Sequence, residues 1–316
     1  MNKVVLGLMA CLFTIPAFSN PIPDIFQSRL NKKIQMQGFG EVSFRGPKSR
    51  NGGEKIVLVH GIYAGSTHIT WRDILPLLDK AGLQVFIVDL PGVGDNGILE
   101  KRNYSMELFD QFITNFLEDV VKGPATLVAE SLLTSSILKV AGDRPDLVKG
   151  LVLLSPTGIN SLASGSPAQE QLYQRLFNND IFSDSFYKSI FTEQNLRFFL
   201  EKTVYDDSLI NETRIKETQL AGQNPAQKWI TISFIGGQLT RSFRDASRLV
   251  NVPTLMVFGK EAESSGSDDE LLEKPEEFLK IRPDFELATI PFCGQSVHRE
   301  KPELTKNLII NFIQRI

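Results

Sequence analysis

A chain of 316 residues is long enough to bury one large core with an insertion, or two modest domains. Its apolar and charged fractions are ordinary for a soluble globular protein. A formal net charge of −3 offers no basic patch, so no nucleic-acid partner is expected.

The chain begins MNKVVLGLMACLFTIPAFSN: a cationic Lys3, an apolar stretch from Val4 to Ile15, then Ala17-Phe18-Ser19 with small residues at the −3 and −1 positions of a cleavage site. The apolar run is shorter than the roughly 20 residues a transmembrane anchor needs. A signal peptide over residues 1–19 is therefore expected, with the mature chain starting at Asn20 and the protein exported to the periplasm or medium. The alternative is acylation at Cys11, which closes the stretch LMAC. Apolar residues continuing past Cys11 argue against it. After cleavage only Cys293 remains of the two cysteines, so no internal disulfide is expected.

Lys55–Gly61, KIVLVHG, is a short β-branched run closed by glycine and reads as a buried strand. A helix-like segment over Trp71–Lys80 follows, then a second strand in LQVFIVDLPG. The alternation continues with a helix near Met106–Val121, a strand at Ala125–Ala129, a helix from about Leu132 to Ala141 and the strand in GLVLLSP. Strands alternating with helices of this length predict an α/β protein with a mostly parallel sheet covered on both faces. From about Gly158 to Arg241 the pattern turns polar and helix-like, then the strands resume at Val252–Gly259 and Phe285–Gly294 before a final helix over Glu303–Arg315. The domain is thus read as residues 20–316 with a helical insertion at about 158–241, a lid over the C-terminal ends of the strands. The Phe177, Phe182, Phe186, Phe191, Phe198 and Phe199 side chains concentrate aromatic surface there. One or two of them are expected to line an apolar cavity beneath it.

The stretches HGIYAG, VDLPGVGDNG, AESLLTSSILKVAGDRPDLVKGLVLLSPTG, NVPTLMVFG and IPFCGQSVHREKPE occur in an order and spacing that resembles the α/β-hydrolase superfamily, in its lid-bearing branch of esterases and lipases. The resemblance runs from about Gly46 to the end of the chain. It implies a serine nucleophile at a strand–helix elbow, Ser131, and an oxyanion hole from the backbone N–H groups of Ile62 and Leu132. The elbow is degenerate: Ala129 and Leu133 stand where the family has glycines, and a branched Leu133 predicts crowding that costs about 1–3 kcal/mol. The family's catalytic histidine position holds Gln295, whose amide cannot take a serine proton. The family's acid position, three residues after Gly259, holds Ala262, flanked by Glu261 and Glu263.

The chain has only three histidines, so the candidates for a base can be exhausted. His60 belongs to the oxyanion strand, and His68 follows that loop. His298, three residues beyond Gln295, is the displaced base if there is one, oriented by Glu261 or Glu263. The acidic run EAESSGSDDE lacks the ligand spacing of a calcium loop, and neither a metal nor another cofactor is expected. Two functions remain open. One is an exported serine hydrolase of carboxylic esters with an atypical triad. The other is a catalytically silent α/β-hydrolase fold that binds a small apolar ligand or a partner protein.

Overall fold

The computed structural model describes residues 30–47, 52–96, 104–158, 166–222, 227–262 and 274–316. The expected signal peptide, Glu263 and most of the acidic run lie outside these residues. Eight strands form one sheet: β1 (Lys32–Met36), β2 (Gly40–Arg45), β3 (Lys55–Val59), β4 (Gln84–Val88), β5 (Ala125–Glu130), β6 (Val148–Leu154), β7 (Thr254–Gly259) and β8 (Glu286–Ile290). Their order is β1-β2-β4-β3-β5-β6-β7-β8. The six strands from β4 to β8 are parallel to their neighbours, and the β1–β2 hairpin joins antiparallel at the β4 edge.

The central strands are continuous apolar runs because both of their faces are covered. Within each run alternate residues serve opposite faces, and this splits the interior in two. Val57, Leu127, Leu151 and Met256 belong to one cluster, with Phe109 and Phe112 from the helix Met106–Phe116. Leu58, Val128, Val152 and Val257 belong to the other, with Trp71, Leu78 and Phe312. The hairpin was not foreseen. Its first strand carries Lys32 and Lys33 and alternates exposed with half-buried positions, as a protected edge does, so no apolar run marks it.

Three predicted helices differ in their ends. The segment expected over Trp71–Lys80 is a 3-10 turn, His68–Trp71, followed by the helix Leu75–Lys80, whose first turn accommodates Pro76 because an N–H there has no helical partner to lose. The helix at Met106 ends at Phe116 and closes through a single wide turn, Leu117–Val121. The helix after β5 runs over Thr134–Asp143 behind a 3-10 turn at Ser131–Leu133. Between β6 and β7 the chain forms the helices Pro167–Phe177, Asp180–Ile190, Glu193–Glu201, Glu212–Ala221, Gln227–Ile235 and Phe243–Ser247.

Candidate active site

β5 delivers Ser131 at its C-terminal end. The preceding Glu130 is extended, Ser131 has φ +54°, and Thr134 is already helical. A left-handed backbone at a residue with a Cβ is strained, and it persists only where its surroundings fix it. The turn is held by the Thr134 hydroxyl, which donates to the Ser131 carbonyl at 2.6 Å, and by the Ser135 hydroxyl, which donates to the Leu132 carbonyl at 2.8 Å. The crowding expected from Leu133 has not opened this turn. Ala129 and Leu133 are both fully buried, and the leucine joins the apolar cluster beneath the elbow helix.

Ser131 borders a cavity of about 350 Å³ between the strand ends and the insertion. Ile190, Leu196, Phe199, Leu200, Phe234 and Ile235 make its apolar wall. Ile62, Tyr63, Glu130, Ser155, Gln295 and Arg299 line the same cavity with Ser131. Of the six phenylalanines singled out from the sequence, Phe199 lines the cavity. Phe186 and Phe191 are buried in the core, and Phe198 is half exposed. The second aromatic in the wall, Phe234, was not anticipated.

Gln295 reaches this cavity because the loop after β8 is wedged in place. A Cβ on Gly259 would strike the Cys293 and Gly294 carbonyl oxygens, and one on Gly294 would meet the Val204 backbone at 2.8 Å. The Ser296 N–H donates to the Thr203 carbonyl at 3.1 Å, and the Ser155 hydroxyl donates to the Gln295 carbonyl at 2.7 Å. Glu261 takes part in the same clasp, its carboxylate accepting from the Cys293 N–H at 2.9 Å. That carboxylate is therefore turned to the loop backbone, and the orienting role expected of it toward His298 is corrected. Glu263 is outside the described residues.

The carboxylate near His298 is Glu130. Its Oε1 accepts from the Gly61 N–H at 3.0 Å, the Tyr63 hydroxyl at 3.1 Å and the Thr70 hydroxyl at 3.1 Å. Its Oε2 lies 3.5 Å from His298 Nε2, which is also 3.0 Å from Thr70 Oγ1. With acceptors on both sides, Nε2 carries the proton of the neutral ring, an assignment made from these partners. The lone pair then sits on Nδ1, which has no partner among the described residues. His298 is 1% exposed, packs at a tilt against Trp71 with ring centroids 4.6 Å apart, and does not border the cavity. Burial pushes its pKa down to about 4 against the opposing pull of Glu130. It presents a donor to Glu130, not a base to Ser131, which corrects the displaced-base expectation.

Burial alone would raise the Glu130 carboxyl, but cationic neighbours and the Gly61 N–H hold it below the usual carboxylate range. At neutral pH Arg299 is the effective cation there, since His298 is uncharged. Arg299 is anchored by Nε–H donation to Thr70 at 2.9 Å and Nη2 donation to the Tyr63 hydroxyl at 2.7 Å. Burial raises the Tyr63 phenol to about 12, so it stays a donor to Glu130.

The other two histidines are committed elsewhere. His60 Nε2 accepts the Leu90 N–H at 3.1 Å, which places its proton on Nδ1 facing the Gly61 carbonyl at 2.8 Å. Burial lowers its pKa. His68 Nδ1 lies 2.8 Å from Asp89, whose carboxylate also accepts the Asp95 N–H at 3.1 Å. Ser131, Ile62 and Gln295 are thus brought together, with Leu132 next to the serine, while all three imidazoles are outside the cavity lining. Sequence reasoning missed Glu130, Thr70, Tyr63 and Arg299.

A family model described as the α/β-hydrolase fold matches residues 55–259. The chain is 24% identical over 273 residues to a 2-hydroxy-6-oxononadienedioate/2-hydroxy-6-oxononatrienedioate hydrolase of Burkholderia vietnamiensis, covering 84% of this chain and 88% of that protein. It is 26% identical over 272 residues to a 2-hydroxy-6-oxo-6-(2'-aminophenyl)hexa-2,4-dienoic acid hydrolase of Metapseudomonas resinovorans, covering 83% and 85%. Its fold is similar to that of a thermophilic esterase from Thermogutta terrifontis, with a TM-score of 0.66 and 18% identity, over 90% of this chain and 98% of the other.

Proposed function

The chain belongs to the α/β-hydrolase fold family, and from that premise we propose that it binds a small apolar acyl or aryl compound against Ser131, with ester turnover slow or absent. One observation carries this reading: Gln295, not a histidine, shares the cavity with Ser131. A serine hydroxyl needs a base to become a nucleophile, and losing that base costs about a million-fold in turnover in a well-studied serine protease. Binding and the oxyanion donors alone leave only roughly a thousand-fold over water. The apolar wall and the retained oxyanion strand support binding, and the helical insertion serves as the lid over it. We extend the proposal to export, which N-terminal sequencing of periplasmic protein tests by a start at Asn20.

The second reading, a serine hydrolase of carboxylic esters, is favoured by the strained backbone that Ser131 keeps at φ +54°. Labelling with a fluorophosphonate probe separates the two. The expected result is no labelling above that of Ser131→Ala and no p-nitrophenyl ester hydrolysis above the same control. Labelling that disappears both with Ser131→Ala and with His298→Ala would establish the second reading instead.

A further inference from the structure

The polar lining of the cavity offers several donors, and its one carboxylate is Glu130. Ser131 offers a hydroxyl, Gln295 an amide, and Ile62 and Leu132 lie at the backbone donors of the oxyanion hole. Arg299 adds a full positive charge, and it is the sole lysine or arginine among the lining residues. Its neighbours are neutralised: Arg214 pairs with Asp73 at 3.2 Å and Arg72 with Glu217. Arg299 forms no ion pair among the described residues, and its contacts run to two hydroxyls, Thr70 and Tyr63.

Arg299 is half-buried and its charge is offset only through space by Glu130, so a carboxylate gives it a direct partner that a neutral ester lacks. We infer that the cavity takes a free apolar carboxylic acid, as its carboxylate, in preference to the ester, with Arg299 selecting for the charge and the apolar wall taking the tail. This rests on the reading of the cavity as a base-free binding site. Glu130 borders the same cavity and opposes an anion. Its Oε1, however, is bonded to three donors, Gly61, Tyr63 and Thr70, and its Oε2 lies 3.5 Å from His298 Nε2, so both oxygens are engaged within the network.

The test is calorimetric titration of the purified chain with octanoate and with methyl octanoate at neutral pH. Octanoate is expected to bind about tenfold or more tightly than the ester. Arg299→Gln is expected to weaken octanoate by about tenfold or more, and Arg299→Lys to recover part of the loss. Because Arg299 also holds Tyr63 and Thr70, a second measurement uses the unaltered protein. With octanoate carrying carbon-13 at its carboxyl, the titration midpoint is expected to fall below its value in water, as beside a cation.

Equal affinity for acid and ester, or a bound midpoint raised as it would be beside Glu130, overturns the assignment while the cavity remains a binding site. Failure to bind either probe overturns both readings. Methanol release from the ester is the separate sign that the base-free reading has failed. The acid-over-ester preference is then measured with Ser131→Ala and stands or falls on the same ratio.

Discussion

His298 gives the most direct quantitative test of the buried network. Its pKa stands at about 4 in the folded chain against an ordinary 6.5, because burial penalises the imidazolium more than Glu130 favours it. The folded state therefore resists a proton that the unfolded chain accepts. Above the unfolded value both states are neutral at this ring and its contribution is complete. As pH falls from 6.5 toward 4 the unfolded chain binds the extra proton and stability is lost, up to a total of about 3 kcal/mol. Between pH 7 and pH 5 the loss assigned to His298 is about 2 kcal/mol by the same linkage. The carboxylates held low, Asp89 and Glu130, and the buried His60 add losses of the same sign, while Asp95, Asp110 and Glu300, pushed up by burial, oppose them, so the comparison must be with a variant. His298→Gln keeps an N–H donor for Thr70 and removes the titration. Urea unfolding of both proteins at pH 7 and pH 5 measures the difference. With a slope of about 2–3 kcal/mol per M, the wild-type midpoint should fall roughly 0.7–1 M further than that of the variant. Equal losses in the two proteins would refute the claim that the fold holds His298 neutral.

Ser131→Gly should be more stable than Ser131→Ala by about 0.5–1 kcal/mol in calorimetry, since a left-handed alanine costs about 1–2 kcal/mol and the entropy of the unfolded glycine returns part of it. Equal melting would mean that the elbow is not strained. Glu130→Ala leaves the Gly61 N–H and the Tyr63 and Thr70 hydroxyls without their shared acceptor, and should destabilise by about 1–3 kcal/mol in the same measurement. The double change Ala262→Asp with Gln295→His supplies an acid and a base at the family's own positions. It should hydrolyse a short p-nitrophenyl ester well above the parent and lose the gain on Ser131→Ala, whereas a folded but silent double variant would show that Ser131 is out of reach of residue 295.

The parallel part of the fold was legible because strands buried on both faces read as nearly unbroken apolar runs, as IVLV, LVA and GLVLL do. The hairpin of β1 and β2 was not, because an edge strand guarded by lysines has neither an apolar run nor a clean alternation. Leu133 misled in a different way. Its bulk was read against the glycine it replaces, but the consequence of a side chain depends on the space it enters, and here that space is apolar core. The fate of the elbow was decided by packing that no single position announces.

The site was legible where chemistry sits at a motif position and illegible where it is assembled across the chain. Gln295, at the position where the family resemblance puts a histidine, could be singled out from the sequence alone, and it lines the cavity. The Thr70 and Arg299 partners, 229 residues apart, could not be paired that way. One signal was nevertheless present. Glu130 ends a strand in which every residue is buried, and a carboxylate cannot stay ionised there without donors. That requirement predicts a polar cluster behind Ser131 before any coordinates exist, and it also limits what the cluster can be. Donors committed to holding Glu130 charged cannot also deprotonate a serine. His298, drawn into that role with its proton on Nε2, is a member of the cluster for the same reason that it is unavailable as a base. The one group of the network left with positive charge on the cavity side is Arg299, so the burial of Glu130 and the loss of the histidine at position 295 lead to the same expectation: a site that holds an anion and does not release one by hydrolysis.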